Sequence, residues 1–234
     1  MSKNIFITGV SSGIGLGLAK HYTAMGDNVY GVSRRKPEFE APNFFHASLD
    51  LTDYERVKIE IPNLLRAAPK LDLAILNAGV LGKIQPMRDA GLNELKGVME
   101  VNLWSQKILL DVLLETASIK TIVAISSGAA VNGNLGWSGY SLSKAALNML
   151  IQLYSKEWEQ TKFYALAPGL VDTSMQDSLW EVSEKKYPSV KKLHDARGTE
   201  NMPKPDEFAP KFEKALAKLQ TLESGSFADV RKML

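Results

Sequence analysis

Tyr140 and Lys144 stand four residues apart in Gly139-Tyr140-Ser141-Leu142-Ser143-Lys144-Ala145-Ala146, the opening of a run rich in Ala, Leu, Met and Gln. Those residue types favour a helix, and on a helix residues four apart share one face. A cation beside a phenol favours the phenolate, which predicts a lowered pKa for Tyr140. Such a side chain can give and take a proton near neutral pH. The spacing alone also fits two surface neighbours, so the rest of the chain decides between chemistry and coincidence.

A second stretch has the types and order that hold phosphates. Residues 4–8 form a short apolar run of the buried parallel-strand kind. Thr8-Gly9-Val10-Ser11-Ser12-Gly13-Ile14-Gly15 follows, and then helix-like Leu16 to Tyr22. Strand, glycine-rich turn and helix is the context a dinucleotide pyrophosphate requires. Gly9 would allow the tight turn, Gly13 the close approach of backbone to pyrophosphate, and Gly15 the packing of helix on strand. Ser11, Ser12 and Ile14 complete a loop at a helix N-terminus that faces the anion.

Residues 28–33 read as the second strand. A carboxylate at its end would bind a ribose hydroxyl and repel a 2′-phosphate. The chain carries Ser33-Arg34-Arg35 there instead. Two guanidiniums and a hydroxyl suit a phosphate, which favours NADP(H) over NAD(H).

The elements that must position these groups follow in order. Asn43 to Leu49 reads as a third strand ending at Asp50-Leu51, where Asp50 either reaches an adenine amine or serves as a turn acid. Thr52-Asp53-Tyr54-Glu55 is a capping box opening a helix that Pro62 ends or bends. Leu71 to Leu76 is a fourth strand, running into Asn77-Ala78-Gly79, which is either backbone support for a cofactor or a plain turn. Residues 92–116 read as one long helix with Asn102, a poor helix former, inside it. Thr121 to Ile125 is a fifth strand that ends at Ser126-Ser127-Gly128.

The loop 129–138 brings Val131, Leu135 and Trp137 up to Tyr140, either as pocket lining or as caps on the core. The helix from 140 to 158 is apolar nearly all round, which predicts burial on more than one side: in the core, at a subunit interface, or both. A sixth strand, Phe163 to Ala167, leads to Pro168-Gly169-Leu170-Val171-Asp172-Thr173. Residues 174–205 are polar and irregular and are expected to form a partly helical substrate lid. An amphipathic helix over 206–220 and a short strand near 225–228 close the chain.

The whole is one expected α/β domain over 1–234, with 45% hydrophobic and 23% charged residues. A net charge of +2 gives no case for nucleic acid or an anionic membrane. The absence of cysteine excludes disulfides and thiolate catalysis and fits a reducing, cytoplasmic location. His21, His46 and His194 are scattered, so no metal site is expected.

With these pieces in sequence, the chain resembles the short-chain dehydrogenase/reductase family over essentially its whole length. The resemblance rests on Thr8-Gly9-x3-Gly13-x-Gly15, Asp50-Leu51, Asn77-Ala78-Gly79, Asn102, Ser127, Tyr140-x3-Lys144 and Pro168-Gly169-x3-Thr173. The stretch Val171 to Gln176 looks like the benzil and sepiapterin reductase-like branch. The resemblance implies a Rossmann-type doubly wound parallel sheet in three layers, which the strand–helix alternation supports independently. It also implies hydride transfer between NADP(H) and a small ketone, diketone or aldehyde.

Within that resemblance Tyr140 is the proton donor, and Ser127, chosen over Ser126 for its separation from Tyr140, bonds the carbonyl oxygen. Lys144 lowers the phenol pKa and bonds the nicotinamide ribose. Asn102 holds a water that links Lys144 to solvent. Pro168-Gly169, Val171 and Thr173 hold the nicotinamide carboxamide. Val80, Leu81, Trp137, Met175 and Trp180 suggest an apolar substrate pocket. A homodimer or homotetramer through 92–116 and 139–158 is expected. The rival readings are an alcohol dehydrogenase working oxidatively and a non-catalytic NADP-binding sensor or scaffold.

Overall fold

Short runs of aliphatic and β-branched residues, buried on both faces, make the strands of a parallel sheet. The computed structural model describes residues 2–234. β1 (Asn4–Thr8) passes through the glycine turn into α1 (Gly13–Ala24), followed by β2 (Asn28–Ser33), β3 (Phe44–Ser48) and α2 (Tyr54–Leu64). The expected fourth strand is two: β4 (Lys70–Leu71) and β5 (Leu73–Leu76), parted at Asp72. Then come α3 (Leu92–Met99), a π-helical turn at Glu100–Trp104 and α4 (Ser105–Thr116). β6 (Ser118–Ile119) pairs with β4, and β7 (Thr121–Ile125) joins the main sheet. α5 (Ser138–Glu157), β8 (Lys162–Ala167), α6 (Ser174–Trp180), α7 (Pro188–Ala196), α8 (Pro205–Leu219), β9 (Phe227–Asp229) and α9 (Val230–Met233) complete the chain.

The main sheet has seven parallel strands in the order β3-β2-β1-β5-β7-β8-β9. The chain winds one way from β1 and the other way from β5, so the order reverses between them. A crevice opens at such a switch point, beyond the carboxyl ends of the strands. Successive strand residues point to opposite faces, which splits the core in two. Phe6, Ile122 and Phe163 pack with Leu109, Leu113 and Ile151 on one face. Ile5, Ile7, Val123 and Tyr164 pack with Leu18, Tyr22, Phe208 and Phe212 on the other. Each large apolar chain buried this fully contributes about 1.5–3 kcal/mol. The result is the expected three-layer α/β fold.

One local expectation needed correction. The N-cap of α2 is Asp53, whose carboxylate accepts the Arg56 N–H at 3.2 Å, and not Thr52. The Thr52 hydroxyl is drawn away to Asp50. Pro62 lies inside α2, two residues before its end at Leu64. One face of α5 enters the core through Leu147 and Ile151, and the outward face carries Leu142, Met149 and Leu153 in the open. No described helix is long and apolar enough to cross a membrane. Among the described residues no group of three or more metal-ligating side chains gathers.

Candidate active site

The loops after β1, β2, β5, β7 and β8 converge on a cleft of about 740 Å³. Its floor is fixed by Thr8. The Thr8 hydroxyl accepts the N–H groups of Asn77 and Ala78, each at 2.9 Å, and Asn77 Nδ2 donates back to the Thr8 carbonyl at 2.9 Å. Asn77-Ala78-Gly79 is therefore more than a turn, since it clamps the glycine loop. Gly9 has φ +74°, and a Cβ there would sit 2.8 Å from Asn77 Nδ2. A Cβ on Gly15 would come within 2.4 Å of the Gly9 carbonyl oxygen, so Gly15 permits the packing while lying beneath the cleft wall. Ser11, Ser12, Gly13 and Ile14 border the cleft. Ser12 caps α1 by position only, with no side-chain bond to the first-turn amides. Those amides and the helix dipole suit an anion.

Arg34, Arg35, Asp50 and Leu51 form the wall beyond β2 and β3. Lys36 pairs with Glu40 at 2.8 Å, whereas neither Arg34 nor Arg35 has an ion pair among the described residues. The Ser33 hydroxyl, expected to face a phosphate, is buried and donates to the Arg35 carbonyl at 2.7 Å. Its part is to shape the turn. Asp50 accepts the Thr52 N–H at 3.0 Å and the Thr52 hydroxyl at 2.8 Å. These bonds, the backbone one first, hold its carboxyl below the usual range, so the turn-acid reading applies while Asp50 still edges the cleft.

At the other end of the cleft stand Ser127, Tyr140 and Lys144. Ser126 is fully buried and donates its hydroxyl to Asn148 Oδ1 at 2.5 Å. Ser127 Oγ accepts the Ala129 N–H at 3.1 Å, and its own O–H is directed at the Tyr140 oxygen. Lys144 is 4% exposed, and its ammonium donates to the Ile125 carbonyl at 2.8 Å. Burial pulls its pKa down to about 8. The ammonium lies 5.8 Å from the centre of the Tyr140 ring. The expected lowering of the phenol pKa is not met: burial raises it, and the nearby Ser127 hydroxyl only partly opposes that rise. Desolvation outweighs a cation that is itself turned toward a carbonyl.

Asn102 does not reach the cleft. It is fully buried behind Val80, in the π turn, with Oδ1 accepting the Val80 N–H and Nδ2 donating to the Val80 carbonyl, both at 2.8 Å. Its second Nδ2 hydrogen goes to Ser143 Oγ at 2.9 Å. Ser143, which the motifs did not single out, donates in turn to the Tyr140 carbonyl at 2.8 Å. Its position three residues after Tyr140, on the same helix face, is the signal that was available.

Pro168, Gly169, Val171 and Thr173 border the cleft as expected. So do Val80, Leu81, Trp137 and Met175, joined by Leu170, Leu179 and Leu193. Trp180 is a correction: it is 53% exposed and packs on His194 and Arg197, outside the cleft. Trp137 is held over the site by its Nε1–H, which donates to Ser189 Oγ at 2.8 Å.

The family model described as short chain dehydrogenase matches residues 3–184. The chain belongs to the short-chain dehydrogenase/reductase family. Members bind a nicotinamide cofactor and act on small molecules, so this dehydrogenase/reductase is an oxidoreductase. It is 38% identical over 194 residues to an uncharacterised oxidoreductase of Schizosaccharomyces pombe, covering 78% of this chain and 76% of that one. It is 34% identical over 200 residues to a benzil reductase ((S)-benzoin forming) of Saccharomyces cerevisiae, covering 77% and 76%. A crystal structure of a short chain dehydrogenase/reductase from Saccharomyces cerevisiae superposes with a TM-score of 0.87 at 27% identity, over 98% of this chain and 96% of that chain.

Proposed function

We propose that this short-chain dehydrogenase/reductase is an NADPH-dependent carbonyl reductase acting on a small ketone, diketone or aldehyde. The observation that carries the proposal is a shared cleft: Tyr140, the adjoining Ser127 hydroxyl and Lys144 at one end, the glycine turn and two unpaired arginines at the other. The residues fit the cofactor. A Cβ would fill the cradle at Gly9 and Gly15, the first turn of α1 borders the same space, and neither Arg34 nor Arg35 is ion-paired among the described residues, while Asp50, the acid near Arg34, is bonded to Thr52. Gly13, Ala78, Gly79, Leu51 and Asp50 would flank the adenosine and pyrophosphate. Pro168, Gly169, Val171 and Thr173 would flank the nicotinamide.

When bound, the nicotinamide supplies or takes the hydride. Tyr140 gives its proton to the substrate's carbonyl oxygen, while the Ser127 O–H donates to the same atom, where negative charge develops. Burial raises the phenol pKa, so Tyr140 carries the proton that reduction needs, and the same oxygen would take it back in the reverse direction. Lys144 has two ammonium hydrogens beyond the one given to Ile125, available for a ribose hydroxyl and the phenol. Both Asn102 Nδ2 hydrogens are engaged and Oδ1 accepts the Val80 N–H, so a water relay to Lys144 would use the remaining lone pair of Oδ1. Residues 174–205 act as the lid through α6 and α7. The substrate end is apolar, which suits an aromatic diketone of the kind named for the yeast relative. The bare apolar stripe of α5, with Trp104 beside it, is the surface through which two copies would pair.

The test is NADPH consumption, followed by absorbance, against aromatic diketones, quinones and aldehydes. Turnover with a diketone is the expected result. Tight NADPH binding with no consumption across the panel would replace the reductase by the sensor reading.

A further inference from the structure

His46 lies on β3 and takes no part in the site described above. Its ring nevertheless reaches the turn that carries the two unpaired arginines. Ser33 Oγ, at the end of β2, is 2.9 Å from His46 Nε2 and 2.7 Å from the Arg35 carbonyl oxygen. A hydroxyl has one hydrogen, and a carbonyl can only accept. The Ser33 hydrogen therefore goes to Arg35, and His46 Nε2 carries a hydrogen that it donates to Ser33 Oγ. The chain Nε2–H to Oγ–H to carbonyl ties β3 to the 34–35 turn. Such a side-chain bond to a backbone group two residues on sets the shape of a turn. The ring is held for this purpose. It stacks on Phe44 with centroids 6.2 Å apart, and the strand register pairs His46 with Gly31, two residues before Ser33.

We propose that His46 is a positioning residue for 2′-phosphate recognition, acting through Ser33 to present Arg34 and Arg35 to the cleft. The inference rests on the NADP reading above. The phosphate carries the charge that the guanidiniums meet, and the histidine sets where they stand. The adenosine common to both nicotinamide cofactors does not depend on this turn in the same way. His46 therefore governs discrimination between cofactors more than affinity for either alone.

The test is calorimetric binding of adenosine 2′,5′-bisphosphate and of ADP, which lacks the 2′-phosphate, to the full-length protein. The wild type is expected to prefer the bisphosphate by at least tenfold; equal binding would overturn the NADP reading itself. Given that preference, His46→Phe is expected to weaken the bisphosphate about tenfold, the worth of one hydrogen bond, and ADP less than twofold. His46→Gln, whose amide N–H can occupy the place of Nε2–H, is expected to recover most of the loss. Ser33→Ala breaks the same chain from its middle and is expected to match His46→Phe, giving a second route if that variant folds poorly. An unchanged ratio in His46→Phe and Ser33→Ala would overturn the inference while leaving the NADP reading intact. Equal weakening of both ligands would overturn it as well, by reducing the ring to general support.

Discussion

Asn102 grips Val80 by both backbone groups, accepting its N–H and donating to its carbonyl, each at 2.8 Å. The π turn thus holds the cleft wall, and through Ser143 it also holds the first turn of α5 that presents Tyr140. Replacing Asn102 by Leu leaves those buried groups without partners. The expected loss is about 2–4 kcal/mol of stability, read by urea unfolding, with a fall in kcat of at least about tenfold. An unfolding free energy equal to wild type would contradict this account of the turn.

The two adjacent serines separate cleanly. Ser126→Ala removes a buried hydroxyl engaged with Asn148 and is expected to cost about 1 kcal/mol of stability with kcat within a few-fold of wild type. Ser127→Ala removes the O–H that borders the cleft beside Tyr140 and is expected to lower kcat by about 10²–10³. Steady-state kinetics on both variants decide it. A larger kcat loss from Ser126→Ala would reverse the assignment.

The legible parts of this fold were those set by local periodicity and by backbone need. Glycines at 9 and 15 are required by a positive φ and a close approach, and the strands around them are continuous apolar runs. What the sequence left open depends on partners distant along the chain. The Ser33 hydroxyl suits a phosphate by type, but Arg35 and His46 engage it. The four-residue spacing of Tyr140 and Lys144 puts them on one face, yet it does not reveal that Ile125 would draw the ammonium away or that burial would raise the phenol. Trp180 has the size of a pocket residue, but Arg197 and His194 hold it on the outside.

His194 makes the α6–α7 segment sensitive to pH. Its Nδ1 lies 2.6 Å from Glu184 Oε1 and its Nε2 lies 3.0 Å from the Leu179 carbonyl. Both partners accept, an arrangement that favours hydrogen on both nitrogens, the imidazolium form. The Leu179 carbonyl, opposed in part by burial and then aided by Glu184 and Asp195, raises its pKa above the ordinary histidine value. A raised folded-state pKa gives stability that is complete below the unfolded value and lost as pH climbs through the folded one. The melting temperature of wild type is therefore expected to exceed that of His194→Gln most at pH 6, the gap closing by pH 9. A gap that stays constant with pH would contradict the charged form.

Arg34 tests the cofactor choice from the protein side. Arg34→Ala is expected to raise the dissociation constant of NADPH by about tenfold or more, through loss of a charge-assisted contact, and that of NADH by less than twofold. Fluorescence titration with each cofactor reads the difference. Equal effects would remove the argument from the two unpaired guanidiniums.

The central claim is that the Tyr140 phenol delivers the proton to the substrate oxygen, and Tyr140→Phe removes that hydrogen and little else. Its kcat, measured beside NADPH binding by fluorescence, is expected to fall by about 10²–10⁴ while the dissociation constant of NADPH stays within about threefold of wild type. Turnover near the wild-type rate in that variant would contradict the account.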